Sequence, residues 1–232
     1  MFALITQKEG FNQYGEPADS LMRWNIDYVR SLGFTPVPVP NDLPTAREMA
    51  AGIGYGFLLV TGGGFASLEY FAGSCDDAVP QPLRDDVERF LVTDAVERGI
   101  PVMGLCRGMH MLNGMFGGHV VRGASHSAPR HDHYVAFGGG ERMLVNTFHN
   151  NAIPADHLAP GAELLAVEEG TRNVEAFRLV DQRILGLQWH PERPLPSERA
   201  AQVTQTLLAW LLAGEPLPPE LAPYAVDGHL RA

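Results

Sequence analysis

The chain has 232 residues, 45% hydrophobic and 19% charged, enough apolar character to bury a core and too much for intrinsic disorder. The formal net charge is −10, from 27 acidic against 17 basic residues, which excludes a general nucleic-acid backbone binder. Two cysteines, Cys75 and Cys106, are too few for a disulfide framework or a zinc ribbon, and a single lysine, Lys8, argues against Schiff-base catalysis.

Met1–Thr6 is apolar but short and has no basic leader, and no apolar run approaches the ~20 residues of a membrane helix. A cytoplasmic protein without membrane contact is expected. Phe2–Thr6 predicts a short buried strand, followed by a polar loop around Gly10 and Gly15. Leu21, Trp24, Tyr28 and Leu32 recur at helical spacing, so Ser20–Leu32 predicts a helix with Trp24 in the core and Gly33 as its cap. Pro36 and Pro38 confine Phe34–Val39 to a sheet edge. Asp42–Met49 predicts a short helix with Pro44 in its first turn. Gly56–Val60 is an uninterrupted apolar run, as a strand covered on both faces should be, and it enters Thr61-Gly62-Gly63-Gly64.

Arg84–Arg98 predicts a helix, and the acidic residues Asp76, Asp77, Asp85, Asp86 and Glu88 read as solvated charge near its start. Ile100–Leu105 predicts a buried strand that delivers the chain to Cys106, and Arg107–Phe116 a helix stopped by Gly117-Gly118. Beyond it come short strands at Met143–Asn146, Glu163–Val167, Val174–Val180 and Ile184–Gln188, then a helix at Ala200–Leu212. Gly214–Ala232 is rich in proline and reads as a surface tail (213–232) of a single domain spanning 1–232. Strands alternating with helices predict an α/β fold with a mostly parallel sheet, whose chemistry sits at the carboxyl ends of the strands.

Gly104-Leu105-Cys106-Arg107-Gly108 lies between a strand and a helix, the cysteine form of a nucleophile elbow. The glycines make room for a sharp turn, which pushes the sulfur above the sheet. It also sets Cys106 at a helix N-terminus, where an anion is stabilised. The competing reading is a buried, inert thiol. In Gln188-Trp189-His190-Pro191-Glu192, a histidine at a strand end can act as base to the thiol, and Glu192 can orient it. Taken alone the same tripeptide is a surface turn. The N–H of Gly63 or Gly64, with that of Arg107, can form a two-donor oxyanion hole; the alternatives are a flexible loop or a phosphate cradle. No Lys-Ser/Thr follows the glycines, so they are not a nucleotide P-loop.

The glycine turn, Gly-Leu-Cys-Arg-Gly-Met and Trp-His-Pro-Glu, in this order, resemble class I glutamine amidotransferase domains. That resemblance implies a flavodoxin-like three-layer α/β fold, a Cys106–His190–Glu192 triad and no cofactor. Cys106–Met109, Asn113, Phe116–Gly118 and Val145–Asn150 further resemble the γ-glutamyl hydrolase branch, including γ-glutamyl-γ-aminobutyrate hydrolases. Tyr14-Gly15-Glu16, Trp24 and Pro38–Asn41 are similar to γ-glutamyl-CDP-amidate hydrolases, and the likeness spans residues 1–212. It implies a cysteine hydrolase that releases glutamate from a small γ-glutamylated amine, with substrate contacts at His110, Asn146 and His149. The sequence departs from the branch at His110, Thr147 and Asn150-Asn151.

Two other classes stay open: a glutaminase subunit that delivers ammonia to a synthetase partner, and a thiol sensor or chaperone on a related scaffold. A homodimer is compatible with either enzyme reading. An acidic protein that holds an anionic glutamyl group needs a local positive patch, and Arg107 is expected to supply it. His126, His131 and His133 cluster near Asp132 and read as a substrate loop or surface histidines, so no metal is expected. Cys75 reads as structural.

Overall fold

The computed structural model describes residues 1–74, 78–123 and 131–225. Cys75, Asp76, Asp77, His126 and the last seven residues of the expected tail lie outside that set.

The strands are β1 (Phe2–Thr6), β2 (Lys8–Phe11), β3 (Pro17–Ser20), β4 (Thr35–Val39), β5 (Tyr55–Val60), β6 (Val102–Leu105) and β7 (Val121–Arg122) in the first half. The second half adds β8 (His133–Phe137), β9 (Arg142–Val145), β10 (Asn151–Ala152), β11 (Glu163–Glu168), β12 (Val174–Leu179) and β13 (Ile184–Leu187). The helices are α1 (Arg23–Ser31), α2 (Leu43–Gly52), α3 (Pro82–Glu97), α4 (Arg107–Met115) and α5 (Glu198–Ala213).

Nine strands form one sheet in the order β4-β1-β5-β6-β13-β12-β11-β8-β9. From β4 to β13 neighbours are parallel; from β13 outward they are antiparallel. The parallel half is built from the apolar runs seen in sequence, because helices cover both of its faces. Alternation along each strand divides the core. Ala3, Ile5, Leu59 and Met103 pack with Val29 of α1 and Val203, Leu207 and Leu211 of α5. Leu4, Leu58, Val60 and Val102 pack with Ala46 of α2, Val87, Leu91 and Ala95 of α3, and Leu112 of α4. The result is a three-layer α/β structure. Its proline-bearing strand, β4, is at the edge.

Three local expectations change. The loop after β1 is an antiparallel hairpin, β2 on β3, and Glu9 at its start accepts the Leu83 and Arg84 N–H groups at 3.1 and 3.2 Å, capping α3. Helix α1 starts only at Arg23 and buries Asn25 and Val29, so Trp24 is 47% exposed and not core. The described part of the tail is also more than a surface strap. Leu221 is buried, Tyr224 N–H donates to Leu164 O at 2.8 Å, and its hydroxyl donates to Ala136 O at 2.9 Å.

Candidate active site

Strand β6 ends at Leu105 and α4 begins at Arg107, so the turn between them is the single residue Cys106. Its backbone has φ 51° and ψ −107°, a conformation that costs a non-glycine residue roughly 1–3 kcal/mol. The strain is held from both ends: Cys106 N–H donates to Leu187 O at 2.8 Å, and His110 N–H donates to Cys106 O at 3.1 Å. The flanking glycines are dictated by backbone packing. A Cβ on Gly108 would sit 2.0 Å from Val60 O, and one on Gly104 would sit 2.7 Å from Gly108 O. Side chains there would separate α4 from the sheet.

His190 follows β13, the parallel neighbour of β6, and so arrives beside Cys106. Asn146 fixes its backbone on both sides. The Asn146 amide donates to His190 O at 2.9 Å and to Pro194 O at 3.1 Å, and its carbonyl accepts His190 N–H at 2.8 Å. His190 Nδ1 donates to Glu192 Oε1 at 2.6 Å, with both side chains buried. That bond sets the tautomer and leaves Nε2 for the sulfur. Nε2 has no hydrogen-bond partner among the described residues, although Cys106 is near enough to favour the protonated ring. A Cβ on Gly62 would lie 3.1 Å from His190 Cε1 and 3.5 Å from Cys106 Cβ, which shows how closely the three residues approach. Burial opposes charge on His190, but the Glu192 carboxylate, then Cys106, outweigh it and raise the imidazole to about 9. Phe148, within the Val145–Asn150 segment but given no role by the sequence, packs edge-on against His190 at 5.3 Å between centroids.

The loop after β5 is shaped by Arg84. Its guanidinium donates to the carbonyls of Thr61 at 2.6 Å, Gly62 at 3.2 Å and Gly63 at 2.8 Å. In a trans peptide the N–H points opposite to the C=O. The carbonyls of Gly62 and Gly63 face Arg84, so the N–H groups of Gly63 and Gly64 face away from it. Gly63, Gly64, Cys106 and Arg107 then line one cavity of about 280 Å³. The Arg107 N–H is the first of α4 and has no carbonyl in its own helix to bond.

The Arg107 side chain corrects an expectation. It does not form a positive patch: it is 1% exposed and turned into the protein. Its guanidinium bonds Asp85 at 2.5 Å, Phe65 O at 2.8 Å and Glu88. Glu88 also accepts from Arg84 at 2.7 Å and from the Thr6 hydroxyl at 2.9 Å. Asp85 and Glu88 are therefore not solvated charges but the counter-ions of two buried arginines. Burial raises Asp85 to about 6 despite Arg107, while the two arginines overcome burial and hold Glu88 below its ordinary range. The cations on the cavity wall are Arg122 and Arg193, the latter stacked on Phe148 at 4.0 Å.

Of the expected substrate contacts, His110 and His149 line the cavity. Asn146 does not, because its amide is engaged by the His190 segment. His110 Nε2 donates to Gln188 Oε1 at 2.8 Å, and burial, with His149 nearby, pushes His110 down to about 3, so it stays neutral. Among the described residues, one group could offer ligands to a metal: His133, His149 and Glu175, whose donor atoms lie within 4.8 Å of one another. His131 is exposed and outside it. Buried Glu175 lies 3.3 Å from His133 Nε2 and 3.7 Å from His149 Nε2. Burial opposes charge on both histidines; Glu175 overcomes it and raises His133, whereas His149 stays lowered. Glu175 carried no signal in the sequence, since it interrupts an apolar strand without a motif.

The family model described as glutamine amidotransferase class-I matches residues 17–209. The chain is similar to the γ-glutamyl-CDP-amidate hydrolase of Campylobacter jejuni, 27% identical over 217 residues that cover 90% of this chain and 97% of that one. It is also similar to a subunit of the glutamine-hydrolysing GMP synthase of Methanoregula boonei, 30% identical over 171 residues, covering 71% and 78%. Among solved structures, a GMP synthase subunit from Thermoplasma acidophilum superposes with a TM-score of 0.63 at 18% identity, covering 92% of this chain and 95% of that one. At that identity the likeness concerns the fold. No helix among the described residues is long and apolar enough to cross a membrane.

Proposed function

The chain belongs to the class-I glutamine amidotransferase family, whose chemistry is amide hydrolysis, and within it we propose a self-contained cysteine hydrolase that cleaves the γ-glutamyl amide of a small amine. The observation that carries the reading is the strained Cys106 beside His190, itself bonded to Glu192 at 2.6 Å, on one wall of a cavity roofed by Gly63 and Gly64. Similarity to a γ-glutamyl-CDP-amidate hydrolase over 97% of that protein's length supports the substrate class.

In this mechanism the Cys106 thiolate attacks the γ-carbonyl carbon. The carbonyl electron pair moves to oxygen, which accepts hydrogen bonds from Arg107 N–H and the N–H of Gly63 or Gly64. Each donor is worth roughly 3 kcal/mol at the transition state. The C–N bond breaks as His190 Nε2–H protonates the departing amine, leaving a glutamyl thioester on Cys106. His190, now neutral, takes a proton from water. The resulting hydroxide adds to the thioester carbon, the C–S bond breaks, and glutamate leaves with the thiolate–imidazolium pair restored. Glu192 stabilises the imidazolium in both halves. Arg122 and Arg193 supply the positive charge for the glutamyl carboxylate. No step needs a metal or organic cofactor.

A second reading, a glutaminase subunit serving a synthetase, draws support from the GMP synthase relative and from exposed Phe11, Tyr14 and Trp24, which a partner could cover. Incubating the purified chain with glutamine and with a γ-glutamyl amine separates the two. Turnover of the γ-glutamyl amine by the chain alone is expected. Turnover of glutamine only, or only with a partner present, overturns the self-contained hydrolase.

A further inference from the structure

Beside the Cys106 cavity lies a cluster of side chains that the hydrolysis does not use. His149 is its member on the cavity wall, His133 opens β8, and Glu175 stands near the start of β12. Glu175 is fully buried, and neither of its carboxylate oxygens has a hydrogen-bond partner among the described residues. A carboxylate held out of water in this way needs a cation beside it. Oε2 faces His133 Nε2 at 3.3 Å, and Oε1 faces His149 Nε2 at 3.7 Å. Neither of those ring nitrogens has a hydrogen-bond partner among the described residues either. The other nitrogen of each ring decides what Nε2 offers. His149 Nδ1 bonds Asn151 O at 3.1 Å, and a carbonyl only accepts, so Nδ1 carries the hydrogen and Nε2 a lone pair. His133 Nδ1 bonds the buried Thr147 hydroxyl, whose oxygen can take the hydrogen in the same way.

Protons alone do not satisfy this arrangement. One on His133 Nε2 answers one side of the carboxylate and leaves Oε1 facing the lone pair of His149. A second, on His149, sets two imidazoliums around a single carboxylate with all the facing atoms within 4.8 Å. A divalent ion at the centre engages the three groups at once. We propose that His133, His149 and Glu175 bind a divalent transition-metal ion, zinc by preference, beside the catalytic cavity. The inference is independent of the hydrolase reading. Two imidazoles and a carboxylate are a donor set that zinc takes, with water in the fourth place. Ligand atoms about 2.0–2.2 Å from a tetrahedral ion lie roughly 3.3–3.5 Å apart, near the separations of 3.3 and 3.7 Å seen here. The two rings already stand edge to face, at 81°. Asn151 O and Thr147 Oγ1 act as the outer partners that fix the tautomer and orientation of ligating imidazoles. The expectation of no metal came from reading His133 with its neighbours in the chain; the fold sets it with His149 and Glu175 instead. The ion fixes the His149 part of the cavity wall and takes no part in the chemistry at Cys106.

The test uses the full, untagged chain, stripped with a chelator and titrated with zinc against a chromophoric competitor, and in parallel with cobalt(II) followed by visible absorption. One ion per chain is expected, with a tetrahedral cobalt spectrum that lacks a thiolate charge-transfer band. Cys106→Ala should bind zinc within about threefold of wild type. Glu175→Gln and His133→Ala should each weaken binding by about a hundredfold or more, and Thr147→Val, which removes only the outer partner of His133, by about tenfold. Circular dichroism checks that each variant folds; if the ligand variants do not, the wild-type cobalt spectrum and Thr147→Val carry the decision. No stoichiometric uptake by wild type overturns the site. So does binding that Glu175→Gln, His133→Ala and Thr147→Val leave untouched, and so does a thiolate band or loss of the ion in Cys106→Ala, which places the metal on the nucleophile. Each of these results leaves the hydrolase reading standing, because that reading is tested by glutamate release.

Discussion

Replacing Glu192 by glutamine keeps the shape of the side chain and removes the charge that holds His190. The two groups are 2.6 Å apart with side chains only 4% and 5% exposed, so water screens the pair weakly. Two effects follow. The amide can donate to Nδ1, which selects the tautomer with hydrogen on Nε2 and leaves nothing to take the thiol proton. Burial is also opposed by Cys106 alone, so the imidazole falls from about 9 toward or below its ordinary value of 6.5. The sign is fixed by the raised value. The imidazolium is favoured in the folded protein below pH 6.5, and that advantage disappears as pH rises through 9. Glu192→Gln should lower kcat/KM for a γ-glutamyl amine by about 10²- to 10⁴-fold, or roughly 3–5 kcal/mol of barrier, and move the alkaline limb of the pH profile to lower pH. The assay is glutamate release from pH 5 to 10, with circular dichroism to confirm the fold. Activity within about threefold of wild type, with the alkaline limb unmoved, refutes the assigned role of Glu192.

The other predictions concern the frame around the site. Arg107→Met leaves Asp85 and Glu88 short of a counter-ion and should destabilise the fold by about 3–5 kcal/mol in urea titration; a raised KM at unchanged stability would instead restore the positive-patch role. Gly108→Ala places a methyl 2.0 Å from Val60 O and should lower stability by about 3 kcal/mol or more, read as a shifted urea midpoint with unchanged slope. Asn146→Ala frees the His190 segment and should reduce kcat more than it raises KM; a change in KM alone would return Asn146 to the substrate contacts.

The central sheet was legible because strands covered on both faces are written as unbroken apolar runs, as in Phe57–Val60 and Val102–Leu105. The elbow was legible because Gly104 and Gly108 are imposed by backbone contacts close along the chain and in β5. The hairpin holding Lys8 was not, since Lys8-Glu9-Gly10-Phe11 has neither alternation nor a tight-turn signal. Trp24 was misplaced because the stripe of Leu21, Trp24, Tyr28 and Leu32 is rotated one position from the buried line of Asn25 and Val29. Asp85 and Glu88 looked like solvated charges of an ordinary helix. Their buried partner is Arg107, about twenty residues away, and no local pattern records that pairing. Phe148 and Glu175 likewise acquire meaning only when β12, β13 and the loop after β9 come together.

Trapping the thioester is the most direct test of cysteine catalysis. Wild-type protein and a His190→Asn variant are mixed with a γ-glutamyl amine, quenched in acid at short times and weighed intact. A mass increase of one glutamyl group is expected, localised by digestion to the peptide containing Cys106 and absent from Cys106→Ala, which should release no glutamate. Full turnover by Cys106→Ala, with no adduct on the wild-type chain at any time, would contradict the assignment of Cys106 as nucleophile.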